Sequence, residues 1–260
     1  MIKNVWILTF DREKALNRQI KYFGEEGVEV NVFSNHPEVN IWDDNKKYVK
    51  QVIVNNLSHE EANSYCARSW NNIFIKCFLD REIEGAIFCQ DDTYFKKPGY
   101  VNLINQNYDK YDAIWGPLGD TTFFLKRQVI KKIGWFDERY LGCYCCDADY
   151  LNRIYKYYDR TRISVKEIHD WGFTHNPIGV EEYVEISMES RAADETYSNQ
   201  HTSLLKDFGQ SVMLYSQGHF KKKWNTPGNG INGIGPIVSH YNKQEITDIN
   251  WYPWFTKKYL

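Results

Sequence analysis

Ala86-Ile87-Phe88-Cys89-Gln90-Asp91-Asp92-Thr93 is the stretch on which the reading of this chain turns. A short apolar run behind Gly85 stops abruptly at two adjacent carboxylates. The run has the length and composition of a buried strand. Carboxylates at the end of such a strand are costly unless something pairs with them. A divalent cation holding a diphosphate suits them, because Mg2+ and Mn2+ favour carboxylate oxygen and bridge to phosphates. The alternative is that Asp91 and Asp92 open a solvated loop. The pair alone does not separate the two readings.

Outward from this stretch, apolar runs alternate with helical periodicity. Val5-Trp6-Ile7-Leu8-Thr9-Phe10 reads as a buried first strand. Asp11 is placed to cap a helix carrying Leu16, Ile20 and Phe23, with Gly24 and Gly27 as its stop. Residues 28–33 alternate as a second strand, and Val52-Ile53-Val54 suggests a third. Ser58 with Glu61 forms a capping box that opens a helix through Leu79. After the strand from Ile83 to Cys89 come short strands at Ala113–Trp115 and Thr122–Leu125. A helix from Lys126 to Ile133 is closed by Gly134, and Asp147 or Asp149 caps another through Tyr158. The alternation predicts an α/β fold with a mostly parallel central sheet flanked by helices. Ligands in such sheets bind beyond the carboxyl ends of the strands, where Thr9-Phe10-Asp11 and Gln90-Asp91-Asp92 both fall. The division expected is a core over residues 1–176 and a helical and loop-like, aromatic extension over 177–260, within one globular unit. The glycine-rich stretch 226–236 lacks the G-x-x-x-x-G-K-[ST] pattern and is not a P-loop.

The 260 residues hold 32 basic and 34 acidic side chains, which gives no general attraction to nucleic acid or anionic membrane. The 9 Trp and 19 Tyr exceed ordinary core needs and suit sugar or base stacking. No apolar run approaches the ~20 residues of a spanning helix. The start enters a strand-like segment without an apolar leader. A soluble, cytoplasmic protein is the expectation, in a host cytoplasm if the source is viral; heavy use of Asn, Lys, Ile and Tyr suits an AT-rich genome. Cys77 and Cys89 lie in apolar surroundings, and Cys143-Tyr144-Cys145-Cys146 has no second pair at zinc spacing. The six cysteines are read as reduced, structural thiols.

Several segments resemble the GT-A nucleotide-sugar glycosyltransferases, the large family 2 type above all. Trp6-Ile7-Leu8-Thr9-Phe10-Asp11-Arg12 resembles that family's first strand and nucleotide loop, with Asp11 where Asn is usual. Ala67-Arg68-Ser69-Trp70-Asn71 is similar to its Ala-Arg-Asn-x-Gly helix start. Phe88-Cys89-Gln90-Asp91-Asp92 resembles the Asp-x-Asp region, with Gln90 where an acid is common. Ile133-Gly134-Trp135-Phe136-Asp137-Glu138 resembles the Gly-x-Phe-Asp-Glu acceptor-side motif. Cys146-Asp147-Ala148-Asp149-Tyr150-Leu151-Asn152-Arg153 resembles Glu-Asp-x-Asp-Leu-x-x-Arg, with Cys146 replacing Glu, and Phe220-Lys221-Lys222-Lys223-Trp224 resembles a C-terminal Phe-x-x-Lys-Trp signal. The likeness covers residues 4 to 176 best.

The resemblance implies a GT-A, Rossmann-like sheet and transfer of a sugar from a nucleotide donor, a UDP-sugar by preference, to an acceptor hydroxyl, with inversion. It implies donor contacts from Thr9, Phe10, Asp11, Arg12, Arg68 and Asp91. It implies acceptor contacts from Trp135, Asp137 and Glu138, and a Mn2+ or Mg2+ site at Asp92 with His169, His175 being the second choice. Physical chemistry agrees on the needs: a departing diphosphate must be neutralised, and an acceptor hydroxyl needs a base. Asp147 is the candidate base and Asp149 the runner-up, against plain helix capping for both. Core packing competes with a sugar platform for Trp135 and Phe136.

Two other functions compete. A sugar nucleotidyltransferase would want a glycine-rich loop after the first strand, and Thr9-Phe10-Asp11-Arg12 has no glycine. A non-catalytic sugar or nucleotide binder fits the acids missing at Gln90 and Cys146. The acceptor stays open among glycan, lipid-linked sugar, protein and modified DNA base. Lys221-Lys222-Lys223 and Lys257-Lys258 offer DNA only a small basic surface.

Overall fold

The run Asn4–Thr9 sets the pattern of the molecule: successive side chains of a strand face opposite ways, so Val5 and Ile7 enter one core and Trp6 and Leu8 the other. The structure, a computed structural model, describes residues 1–10, 12–55, 66–116, 121–140, 146–164, 168–169, 172–173, 177–186, 215–216 and 218–220. In chain order the elements are β1 (Asn4–Thr9), α1 (Glu13–Glu25), β2 (Glu29–Ser34), α2 (Asp43–Lys46), β3 (Val49–Val54), α3 (Cys66–Leu79), β4 (Gly85–Gln90), β5 (Thr93–Phe95), α4 (Tyr100–Gln106), β6 (Ala113–Trp115), β7 (Thr122–Lys126), α5 (Arg127–Ile133), α6 (Cys146–Tyr157), β8 (Ile163–Ser164), β9 (Ile168–His169), β10 (Gly172–Phe173) and β11 (Val184–Ile186).

Seven strands form the central sheet in the order β3-β2-β1-β4-β7-β6-β8. β1 runs parallel to β2 and β4, and β2 parallel to β3; β7 is antiparallel to β4 and β6, and β8 is parallel to β6. This is the mostly parallel α/β sheet flanked by helices that the sequence predicts. The register pairs Thr9 with Ser34 and Leu8 with Gln90, so β1, β2 and β4 end side by side. One face of the sheet is aliphatic, with Val5, Ile7, Val30, Val32 and Ile87 packing on Leu16, Ile20 and Phe23 of α1. The other is aromatic, with Trp70, Phe74 and Phe78 of α3 against Phe88, Trp115, Phe123, Phe136 and Tyr150. Much of the aromatic surplus is therefore core: Trp6, Trp70, Trp115 and Trp135 are all buried.

Several local readings shift. α1 begins at Glu13 with Arg12 at its cap, and Gly24 lies inside the helix rather than ending it. The glycine is needed because a Cβ there would overlap the Tyr48 ring. Gly27, at φ 78°, makes the turn into β2. α6 starts at Cys146, so Asp147 and Asp149 sit within its first turn instead of capping it. After residue 176 the chain is not simply helical: β11 pairs antiparallel with β5, Val184 opposite Phe95, and Phe220 enters the aromatic core. The Ser58–Glu61 box, Cys143, Cys145, the glycine-rich stretch 226–236, Lys221–Trp224 and Lys257-Lys258 lie outside the described residues. Cys66, Cys77, Cys89 and Cys146 are buried, and burial pushes the Cys77 and Cys89 thiols well above the ordinary thiol range. Among the described residues no helix is long and apolar enough to cross a membrane.

Candidate active site

Thr9 is the last residue of β1, and the chain leaves the sheet there beside the turn that follows β4. Asp91 and Asp92 form that turn, both almost completely buried. The Asp91 carboxylate is fixed by the end of β1: Thr9 Oγ1 donates to its Oδ2 at 2.7 Å and the Phe10 amide at 3.1 Å. Arg12 Nη1 donates to Oδ1 at 3.1 Å and stands 3.6 Å from Asp92 Oδ2. One guanidinium thus serves two carboxylates. Burial pushes the Asp91 carboxyl up to about 6; Arg12 opposes the rise, Asp92 adds to it, and the Thr9 and Phe10 hydrogen bonds oppose it.

The turn itself is clamped from three sides. Gln19 of α1, buried, donates from Nε2 to the carbonyls of Gln90 (2.6 Å) and Thr93 (2.9 Å), and its Oε1 accepts from Cys89 Sγ at 3.3 Å. The Asp91 amide donates to the Leu8 carbonyl, and the Gln90 amide and Thr93 hydroxyl to Thr121. Next door, at the end of β2, Asn35 exchanges hydrogen bonds with Ser69 of α3 at 2.8 and 3.1 Å, and His36 meets Phe10 edge to face at 5.8 Å. Phe10, His36, Asn35 and the two acids therefore line the carboxyl edge of adjacent parallel strands.

A second cluster surrounds the residues assigned to the acceptor. Asp137 is gripped by Arg139 through two 2.7 Å contacts and lies 3.4 Å from His219 Nε2. Glu138 accepts from Asn71 of α3 at 2.9 Å, and Asn71 also brackets the Phe136 backbone. Asp149 is wholly buried against Arg153 at 3.0 Å, with the Tyr140 hydroxyl at 3.4 Å. Asp147 is buried in the first turn of α6. Trp135 is buried beside Phe74.

The structure brings Thr9, Phe10, Arg12, Asp91 and Asp92 together. Arg68 is exposed on α3, and its neighbour Ser69 is the residue that reaches Asn35. His169 stands opposite Gly172 in the β9–β10 pair, and its side chain, Asp11 and His175 lie outside the described residues. Gln19, Asn35, His36, Ser69 and His219 belong to no site legible in the sequence; Gln19, an amide inside an amphipathic helix, is the one with a signal, and that signal does not say what it binds.

No family model and no curated protein matches the chain. Among solved structures it is similar to glucosyl-3-phosphoglycerate synthase from Mycobacterium tuberculosis in complex with Mn2+, UDP and glucosyl-3-phosphoglycerate, at 11% identity and TM-score 0.41 over 62% of this chain and 68% of that one. It is also similar to a protein described as a glucose-1-phosphate thymidylyltransferase from Bacillus anthracis in complex with a sucrose (7% identity, TM-score 0.34, 50% and 73% of the two chains). A protein from STIV overlaps at 11% identity and TM-score 0.36, over 71% and 94%. None of these overlaps reaches a TM-score of 0.5, so function has to be read from the site itself.

Proposed function

We propose that the protein is a metal-dependent glycosyltransferase that moves a sugar from a nucleotide donor, a UDP-sugar by preference, to an acceptor hydroxyl with inversion. The observation that carries this reading is the pair of buried carboxylates at the end of β4, held against the end of parallel β1. Binding beyond the carboxyl ends of parallel strands is the rule for such sheets. Phe10 and His36 offer flat surfaces to the base, and Asp91 is assigned to the ribose or to a supporting contact behind the ion.

The residues fit a hard divalent ion. Among the described residues no group of three or more ligand side chains assembles, but Mg2+ and Mn2+ are commonly held by one or two carboxylates together with substrate phosphates. Asp92 would be the carboxylate, with His169 as the proposed second ligand. Such an ion, when bound, neutralises charge on the departing diphosphate.

The remaining chemistry belongs to the chain. The acceptor oxygen attacks the anomeric carbon, the carbon–oxygen bond to the diphosphate breaks, and the nucleoside diphosphate leaves with the bonding electrons. The acceptor proton passes to a carboxylate, for which Asp147 is the assignment. Asp149 is the weaker choice, because the buried Arg153 contact occupies it. Calorimetry of UDP with Mn2+ tests the reading: Asp92→Asn should abolish metal-dependent binding. Binding equal to wild type would remove Asp92 from the metal site.

A further inference from the structure

Arg12 is placed where the metal reading needs a cation. Its Nη1 lies 3.1 Å from Asp91 and 3.6 Å from Asp92, and its side chain is almost buried. Two adjacent ionised carboxylates that are both buried require positive charge beside them. The grip on the two is unequal. Asp91 is anchored independently, because the Thr9 hydroxyl and Phe10 amide hold its other oxygen. Asp92 is the looser contact, at a distance beyond an ordinary hydrogen bond. The Arg12 backbone caps α1 without a side-chain cap hydrogen bond, so the start of the helix does not depend on where the guanidinium pairs.

We infer that Arg12 is a resident counter-cation that gives up Asp92 when a divalent ion takes that carboxylate and then pairs with the diphosphate of the donor. The inference rests on the metal reading above. Like charges crowding one carboxylate repel, so Arg12 and the ion compete for Asp92. A planar guanidinium released next to a diphosphate finds paired acceptors that match its fork. The same side chain therefore opposes the ion alone and favours the ion together with the nucleotide, which makes binding of the two mutually dependent.

The test is titration of Mn2+, with and without UDP, followed by calorimetry and by the paramagnetic resonance of free Mn2+. Arg12→Gln should bind Mn2+ alone at least ~5-fold more tightly than wild type and bind UDP in saturating Mn2+ about 10-fold more weakly. Arg12→Lys keeps the charge and should stay near wild type for Mn2+ alone. Arg12→Met, which keeps the apolar stem, replaces Arg12→Gln if the latter does not fold. Equal or weaker Mn2+ binding in the neutral variants, with Mn2+ still bound by wild type, overturns the exchange and leaves the metal site standing. No Mn2+ bound by any of the proteins, even with UDP, overturns the metal reading itself and the exchange with it.

Discussion

Asp91 and Asp112 are both buried aspartates at the rim of one sheet, and their surroundings act on them in opposite directions. Asp91 follows β4, at the edge where β1 and β2 also end. Asp112 precedes β6, which runs the same way as β4, and so lies at the opposite edge. Asp112 accepts from Arg162 at 2.7 and 3.0 Å, from the Tyr158 hydroxyl at 3.0 Å, and has Lys126 Nζ at 3.0 Å. Burial acts to raise its carboxyl, but Arg162, Lys126 and Tyr158 outweigh it and hold the group down at about 2. Asp91 has the Arg12 guanidinium beside it, but there burial wins and the carboxyl is pushed up to about 6. Carboxylates satisfied by the chain's own donors tie the sheet together. A buried carboxyl raised in this way at the carboxyl edge of parallel strands is the pattern that marks a candidate site.

The contrast predicts that changes at the carboxyl edge cost function and changes at the amino edge cost stability. The largest effect on function belongs to the proposed base in the second cluster, Asp147→Asn. A base acts in the transition state, so kcat should fall by ~10²–10⁴ with donor affinity little changed. Turnover assays with the donor identified by thermal-shift screening decide this. Normal turnover in the folded variant would move the base elsewhere or imply a retaining reaction.

Next in size is a pair of stability measurements at pH 7. Asp112→Ala removes the carboxylate that Arg162, Lys126 and Tyr158 share and should cost about 2–4 kcal/mol in urea unfolding, while UDP binding survives. Asp91→Asn relieves a like-charge contact and keeps an oxygen for Thr9 and Phe10, so it should unfold no more easily than wild type although it loses donor binding. A loss of several kcal/mol in Asp91→Asn with a mild Asp112→Ala would reverse the comparison.

The two edges also differ in how far they could be read from the chain. β1 and β4 are legible because buried parallel strands are continuous apolar runs, and Asp91-Asp92 is legible because a run ends on it. The clamp on that turn is not. Gln19 reaches Gln90 and Thr93 across more than seventy residues, and a buried glutamine in an amphipathic helix looks like any polar position. α4 carries no start signal in the sequence, because Gly99, at φ 102°, opens it without a side-chain cap. Trp135 reads from the sequence as an acceptor platform, with core packing fitting Phe136 better, and its burial beside Phe74 is visible only in the fold. Asp112 stands out in no motif, since its three partners come from β7, the residue after α6 and the segment before β8.

The smallest effect sharpens the comparison most, because it isolates one group. Asp112 has a folded value of about 2, against about 3.9 for an aspartate in an unfolded chain. Its contribution is therefore complete above pH ~4 and disappears as the pH falls through about 2. The full contribution is about 2 kcal/mol, of which about 1 kcal/mol should go between pH 6 and pH 3. Asp112→Asn lacks the titration, so the gap in unfolding free energy between wild type and this variant should narrow by that amount as the pH drops from 6 to 3. Urea unfolding of both proteins at each pH reads it directly, and any other acid titrating in that range cancels in the difference. Asp91 works in the opposite sense: its carboxyl is raised, so the wild type should lose stability relative to Asp91→Asn as the pH climbs from 4 through about 6. A gap for Asp112→Asn that stays constant from pH 6 to pH 3 would mean that Arg162, Lys126 and Tyr158 hold this carboxylate no better than water does, and the amino edge would then be no more a structural lock than the carboxyl edge.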